Sequence, residues 1–141
     1  MYFATHLLTG STIGGAAVAA GAPPWAAFLA GLGSHAILDM VPHHDYHKAR
    51  WALLDIAFGI ALAALAFPGR FAAARLWGGL GGVLPDLEVA VGHLLASLGR
   101  PGWRDYFPTH SGALPHPHWG FPQGLLIQAA IAALEFCLLT L

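Results

Sequence analysis

The 141-residue chain is short of charge: Asp, Glu, Lys and Arg together make up 9% of it, against about a quarter in soluble domains. Residues 1–38 contain none of the four. A formal net charge of −1 gives no sign of nucleic-acid binding, which needs a basic face, and no nucleic-acid partner is expected. The single cysteine, Cys137, excludes an internal disulfide and any CxxC redox or metal motif, and apolar filling is the role expected of it. No basic n-region precedes the first apolar segment, and that segment carries His6, so it is expected to be retained rather than removed as a signal peptide.

Hydrophobic residues account for 57% of the chain, and the mean hydropathy is +0.62. Five apolar segments are readable, from about 2–20, 25–41, 51–67, 71–84 (with a possible continuation past Pro85 to Leu98) and 123–141. Pro23-Pro24, Pro42 and Pro68-Gly69 break the chain between the first four, because proline cannot continue a helix. The 99–122 stretch holds five prolines and three histidines and reads as an ordered loop. The expectation is one domain over residues 1–141: an all-α, polytopic membrane bundle of about five helices.

Counting along these helices places the polar groups. His6 lies 15 residues before Gly21 and Asp39 lies 15 after Pro24, so at about 1.5 Å per residue both stand roughly 22 Å from the hairpin tip. The same counting brings Asp55, Asp86 and the histidines of the long loop to that level. His6, His35, Asp39, His43, Asp55, Asp86, His110, His116 and His118 are therefore expected to converge on one membrane face. Trp51, Trp103, Trp119, Tyr46 and Tyr106 fall at the same end, as an interfacial belt does. Lys48, Arg50, Arg100 and Arg104 lie there too, against Arg70 and Arg75 at the other end, which turns the site towards the cytoplasm under the positive-inside rule.

The densest chemistry is Ser34-His35-Ala36-Ile37-Leu38-Asp39-Met40-Val41-Pro42-His43-His44-Asp45. The i, i+4, i+8 spacing of His35, Asp39 and His43 puts them on one helical face for as far as the helix lasts. Ionisable groups in apolar spans are costly unless paired or metal-bound. Imidazole and carboxylate without thiolate suit zinc, manganese or iron. The alternative is that Asp39 caps a neighbouring helix and His43 and His44 sit in a wet loop. Asp55 is either a ligand's partner or a carboxylate stabilised by its own helix dipole. Asp86 follows a glycine-rich run that permits close helix packing and is not a phosphate loop.

At Thr5-His6-Leu7-Leu8, Ser34-His35-x3-Asp39-x2-Pro42-His43, Leu84-Pro85-Asp86 and Thr109-His110-Ser111, the chain resembles the bacterial membrane-bound metal-dependent hydrolase family. It is distantly similar to zinc-dependent phospholipase C. Thr-His-Ser stands late here, and the His-Arg-Gly element that precedes it elsewhere is absent. The resemblance implies a helical bundle in the bacterial cytoplasmic membrane that hydrolyses an ester, possibly a lipid phosphoester. The expected centre holds one or two divalent ions, zinc first, on His6, His35, Asp39, His43, Asp86 and His110. Asp45 or Asp55 is expected as general base, and Arg50 or Arg104 as the holder of an anionic head group. Competing readings are a non-catalytic metal carrier or sensor, and a structural membrane subunit. A carrier should show polar groups along both halves of its spans, whereas Glu135 stands nearly alone in the far half.

Overall fold

The first apolar run becomes α1, Phe3–Ala19, and ends in a glycine turn. Gly21 adopts φ 95°, its amide donates to Val18 O at 3.0 Å, and the Ala22 amide donates to Ala17 O at 3.0 Å. This is the paired closure by which a left-handed residue satisfies a helix's last carbonyls. Pro23 and Pro24 then lead directly into α2, Trp25–Asp39. The computed structural model describes residues 2–46, 48–100 and 102–141, and completes the bundle with α3 (Ala49–Ala66), α4 (Ala72–Ser97) and α5 (Gln123–Thr140). The fold is all-α with five helices, and 102–122 contains no helix. The fourth segment passes through Pro85 without a break.

α1 is the hub, touching each of the other four helices, and α1, α2 and α4 pack most closely. Three matching stripes explain that packing. His6, Gly10 and Gly14 follow one another at intervals of four on α1, as do Gly31, His35 and Asp39 on α2, and Gly78, Gly82 and Asp86 on α4. Residues so spaced share a helix face. A Cβ on Gly10 or Gly31 would run into the carbonyl oxygen of Gly78, and one on Gly82 would meet that of His6. Small residues let the three backbones approach, and each stripe then delivers a polar side chain to the same end of the trio.

By length and composition, α3, α4 and α5 are long and apolar enough to cross a membrane. α1 and α2, at 17 and 15 residues, are shorter than these three. The outer surface is apolar: Leu53, Leu54, Phe58, Ile60 and Leu65 of α3 are all more than half exposed, as suits a surface solvated by lipid. Cys137 is exposed on α5 and does not fill the core, because it faces away from the neighbouring helices.

Candidate metal centre

The stripes end in a buried carboxylate ringed by imidazoles. His6, His35 and Asp39 are each fully buried. Asp39 Oδ1 lies 3.2 Å from His6 Nε2, and Oδ2 lies 3.1 Å from His35 Nε2 and 3.3 Å from His110 Nε2. The Thr109 hydroxyl donates to Oδ2 at 2.7 Å. Asp86 completes this side from α4, with Oδ1 3.9 Å from both His35 Nε2 and His110 Nε2.

His35 is held in one tautomer. Its Nδ1 lies 2.6 Å from Gly82 O; a carbonyl only accepts, so Nδ1 carries the hydrogen and Nε2 presents its lone pair to the cluster. The expected single face through His43 is not formed: α2 ends at Asp39, with Met40 as its C-cap, and Pro42 blocks a further turn.

His43 reaches the cluster by another route. Its amide donates to Pro117 O at 3.3 Å, and the Trp119 amide donates to His43 O at 2.7 Å, a short parallel bridge between His43 and His118. In extended chain, residues two apart face the same side, so His116 and His118 both turn towards Asp45. His118 Nδ1 is 2.9 Å from Asp45 Oδ2, His43 Nε2 is 3.3 Å from Asp45 Oδ1, and His116 Nε2 is 3.8 Å from Asp45 Oδ2. His43 Nδ1 is committed to Val41 O at 2.6 Å. His43 and His116 then face each other through Nε2 atoms 2.9 Å apart, a contact that needs a proton or a cation between them. His116 Nε2 also lies 3.9 Å from Asp39 Oδ1, which links the outer group to the inner one.

The donor set fits a divalent ion. Ligand bonds of 2.0–2.1 Å in a tetrahedron place neighbouring ligand atoms about 3.3 Å apart. The separations here are 3.2 Å for His6 and Asp39, 3.3 Å for His110 and Asp39, 3.4 Å for His35 and His110 and 3.3 Å for His43 and Asp45. Neither ring nitrogen of the buried His6 makes an aligned hydrogen bond, and coordination through Nε2 would remove one of these two costs. Among the described residues, four overlapping groups could hold an ion: His6, His35 and Asp39; His35, Asp86 and His110; Asp39, His110 and His116; and His43, Asp45, His116 and His118.

The loop residues carry shifted proton affinities. Burial disfavours the His110 imidazolium, but the hydrogen bond to Asp39 and the charges of Asp39 and Asp86 outweigh it and raise its pKa. Burial lowers the pKa of His116, with Asp39 offsetting part of that. Burial would raise the Asp45 carboxyl, yet the hydrogen bond with His43 holds it below the usual carboxylate range. The surroundings thus raise the proton affinity of His110 and lower that of His116.

The other expected site residues lie elsewhere. Asp55 Oδ2 accepts the Ala4 amide at 3.1 Å, so it caps the start of α1 and belongs to none of the ligand groups. Its stabilising dipole is therefore that of α1 and not that of its own α3. Arg50 is exposed and lies 5.3 Å over the Trp51 ring. Arg104 is exposed. Glu88 accepts the Phe107 amide at 2.9 Å, which ties the long loop to α4.

Two supports have no sequence signal strong enough to find them. Thr109 orients Asp39, and its hydroxyl is legible only as part of Thr-His-Ser. Gln128 of α5 is buried, accepts the Tyr2 amide at 2.7 Å and donates to His44 O at 2.8 Å. A lone glutamine in an apolar helix carries no spacing to reveal this. Gly124 lets α5 come against the His43–His44 backbone, where a Cβ would lie 2.6 Å from His44 N. Comparison of the chain with protein-family models, curated proteins and solved structures finds no match.

Proposed function

We propose that the chain is an integral membrane hydrolase that depends on a divalent metal and cleaves an ester, with a lipid phosphoester as the substrate class. The observation that carries this reading is the Asp39 carboxylate, buried and met by the Nε2 atoms of His6, His35 and His110 at 3.1–3.3 Å. The inner group (His6, His35, Asp39, Asp86 and His110) and the outer group (His43, Asp45, His116 and His118) meet at Asp39, giving places for one or two ions. Zinc fits the nitrogen and oxygen donors best, and manganese or iron are the alternatives. When bound, such an ion polarises an ester oxygen and lowers the pKa of water.

The chain's residues supply the rest. The hydrogen bond with His43 lowers the proton affinity of Asp45, which weakens it as a base, and it serves the outer group as a ligand. Asp86, whose side chain is 29% exposed, is the carboxylate placed to take the proton of an attacking water. Thr109 and Gly82 fix Asp39 and His35, which keeps the donor atoms in place without reorganisation. Arg50 and Arg104, exposed at this end, are available to an anionic head group. The family resemblance and the apolar lengths of α3, α4 and α5 support a site at one face of the bacterial cytoplasmic membrane. The positive-inside balance turns it to the cytoplasmic side.

The test is turnover. Purified protein in mixed micelles with phosphatidylglycerol is assayed for water-dependent release of a phosphorylated or acyl product after loading with zinc, manganese or iron. Product is expected with one of these ions and is expected to vanish in His35→Ala. Stoichiometric metal without ester cleavage under any of these conditions would replace the hydrolase with a carrier or sensor.

A further inference from the structure

α3 and α5 touch each other only sparsely, although both pack on α1. Between them runs a cleft of about 570 Å³. Its lower wall is formed by Trp51, Leu54, Asp55 and Phe58 of α3 and by Leu125 of α5, and is apolar apart from the Asp55 carboxylate, which accepts the Ala4 amide. Its upper end is polar, with Lys48, His44 and Tyr46. From Trp51 to Phe58 the helix advances roughly 10 Å, enough for one chain segment. His44 stands between His43 and Asp45 in sequence, so the polar end adjoins the outer ligand group.

We infer that this cleft holds an acyl chain of an anionic phospholipid, with the head group at Lys48 beside the metal centre. Two observations select that occupant. A gap between two helices long and apolar enough to cross a membrane opens onto hydrocarbon, and Trp51, Leu54, Phe58, Phe121 and Leu125 give it an apolar wall on which an acyl chain can lie. Lys48 stands at its mouth, while the Asp55 carboxylate below it is hydrogen-bonded to the Ala4 amide, and a lysine at head-group level attracts anionic lipid. The Tyr46 phenol and the His44 imidazole add polar groups at the same height. The depression at the opposite end of the bundle, about 510 Å³ and lined by Pro24, Trp25, Phe28, Leu29 and Trp77, has no charged residue and provides an internal control. The inference deepens the lipid phosphoester reading and rests on it for the purpose of binding, but the binding is measurable without turnover.

The experiment uses tryptophan quenching by phospholipids with dibrominated acyl chains in detergent. One variant keeps only Trp51 and a second keeps only Trp25, with phenylalanine at the other tryptophans. Trp51 emission is expected to fall saturably with dibrominated phosphatidylglycerol at about one lipid per chain, and much less with phosphatidylcholine. Lys48→Glu is expected to weaken the phosphatidylglycerol response by at least about tenfold, while Trp25 responds gradually and equally to both lipids. Gradual quenching of Trp51 that ignores the head group, or insensitivity to Lys48→Glu, overturns the inference. So does Trp51 shielded from every lipid in a chain that self-associates, which would make a second copy the occupant. Native mass spectrometry of the otherwise unaltered protein, with and without Lys48→Glu, reads the same retained lipid if the tryptophan variants do not fold. Saturable binding without hydrolysis would leave the cleft's assignment standing and remove the hydrolase reading alone.

Discussion

Asp39→Asn keeps the size of the side chain and removes its charge, at the point where both ligand groups meet. An amide cannot bridge two cations as a carboxylate does, and its nitrogen offers no lone pair. Structural zinc binding in small domains amounts to about 10–16 kcal/mol over four ligands, so one ligand contributes about 3–4 kcal/mol. Loss of Asp39 is therefore expected to weaken metal affinity by roughly two to three orders of magnitude. The inner group suffers most, since Asp39 lies within 3.3 Å of His6, His35 and His110 there but 3.9 Å from His116 in the outer one. Competition with a chromophoric chelator measures the change, and thermal unfolding of the metal-free protein checks that the bundle survives. Thr109→Val, which removes only the hydrogen bond to Oδ2, is expected to cost ten- to a hundredfold, the usual effect of an orienting partner. Wild-type affinity in Asp39→Asn would refute this assignment of the carboxylate.

Metal affinity is expected to rise with pH across neutrality. The raised pKa of His110 leaves it partly protonated near pH 7, and coordination must displace that proton; calorimetry in buffers of different ionisation enthalpy should show proton release on binding, and none would contradict it. Gly31→Ala is expected to destabilise the bundle by about 1–3 kcal/mol through overpacking, because its Cβ meets the Gly78 carbonyl, whereas Gly33→Ala, with open space around it, should leave the melting temperature in detergent unchanged or higher. Asp55→Ala should cost about 1 kcal/mol as a lost helix cap and retain full metal stoichiometry; loss of metal with normal stability would make Asp55 part of the centre. Gln128→Leu strips buried partners from the Tyr2 amide and the His44 carbonyl and should cost about 1–3 kcal/mol in the same melting assay.

Helix counting carried the site a long way. The Pro23-Pro24 hairpin sets α1 and α2 antiparallel, and equal residue counts from the tip put His6 and Asp39 at equal height, where the structure finds them 3.2 Å apart. The coincidence of glycines and ligands on one stripe of α1, α2 and α4 was also present in the sequence, but it becomes visible only when the three helices are laid against each other. Helical spacing groups His43 with His35 and Asp39 only as far as the helix lasts, and α2 ends at Asp39, before Pro42. A parallel bridge to His118 brings His43 to the outer group instead, and pairings between loops leave no periodic trace. Asp55 shows the same boundary: its depth was right, but its rotation about α3 turns it to the Ala4 amide. Which way an outer helix faces depends on packing that an evenly apolar sequence such as α3 or α5 does not encode.

The most direct test of the metal centre is X-ray absorption at the metal edge of purified, metal-loaded protein. One or two ions per chain are expected, with nitrogen and oxygen neighbours at about 2.0–2.2 Å, multiple scattering from several imidazoles, and no sulfur. Absence of retained metal, or a shell of water oxygens without imidazole, would contradict the assignment of His6, His35, Asp39 and His110 as its ligands.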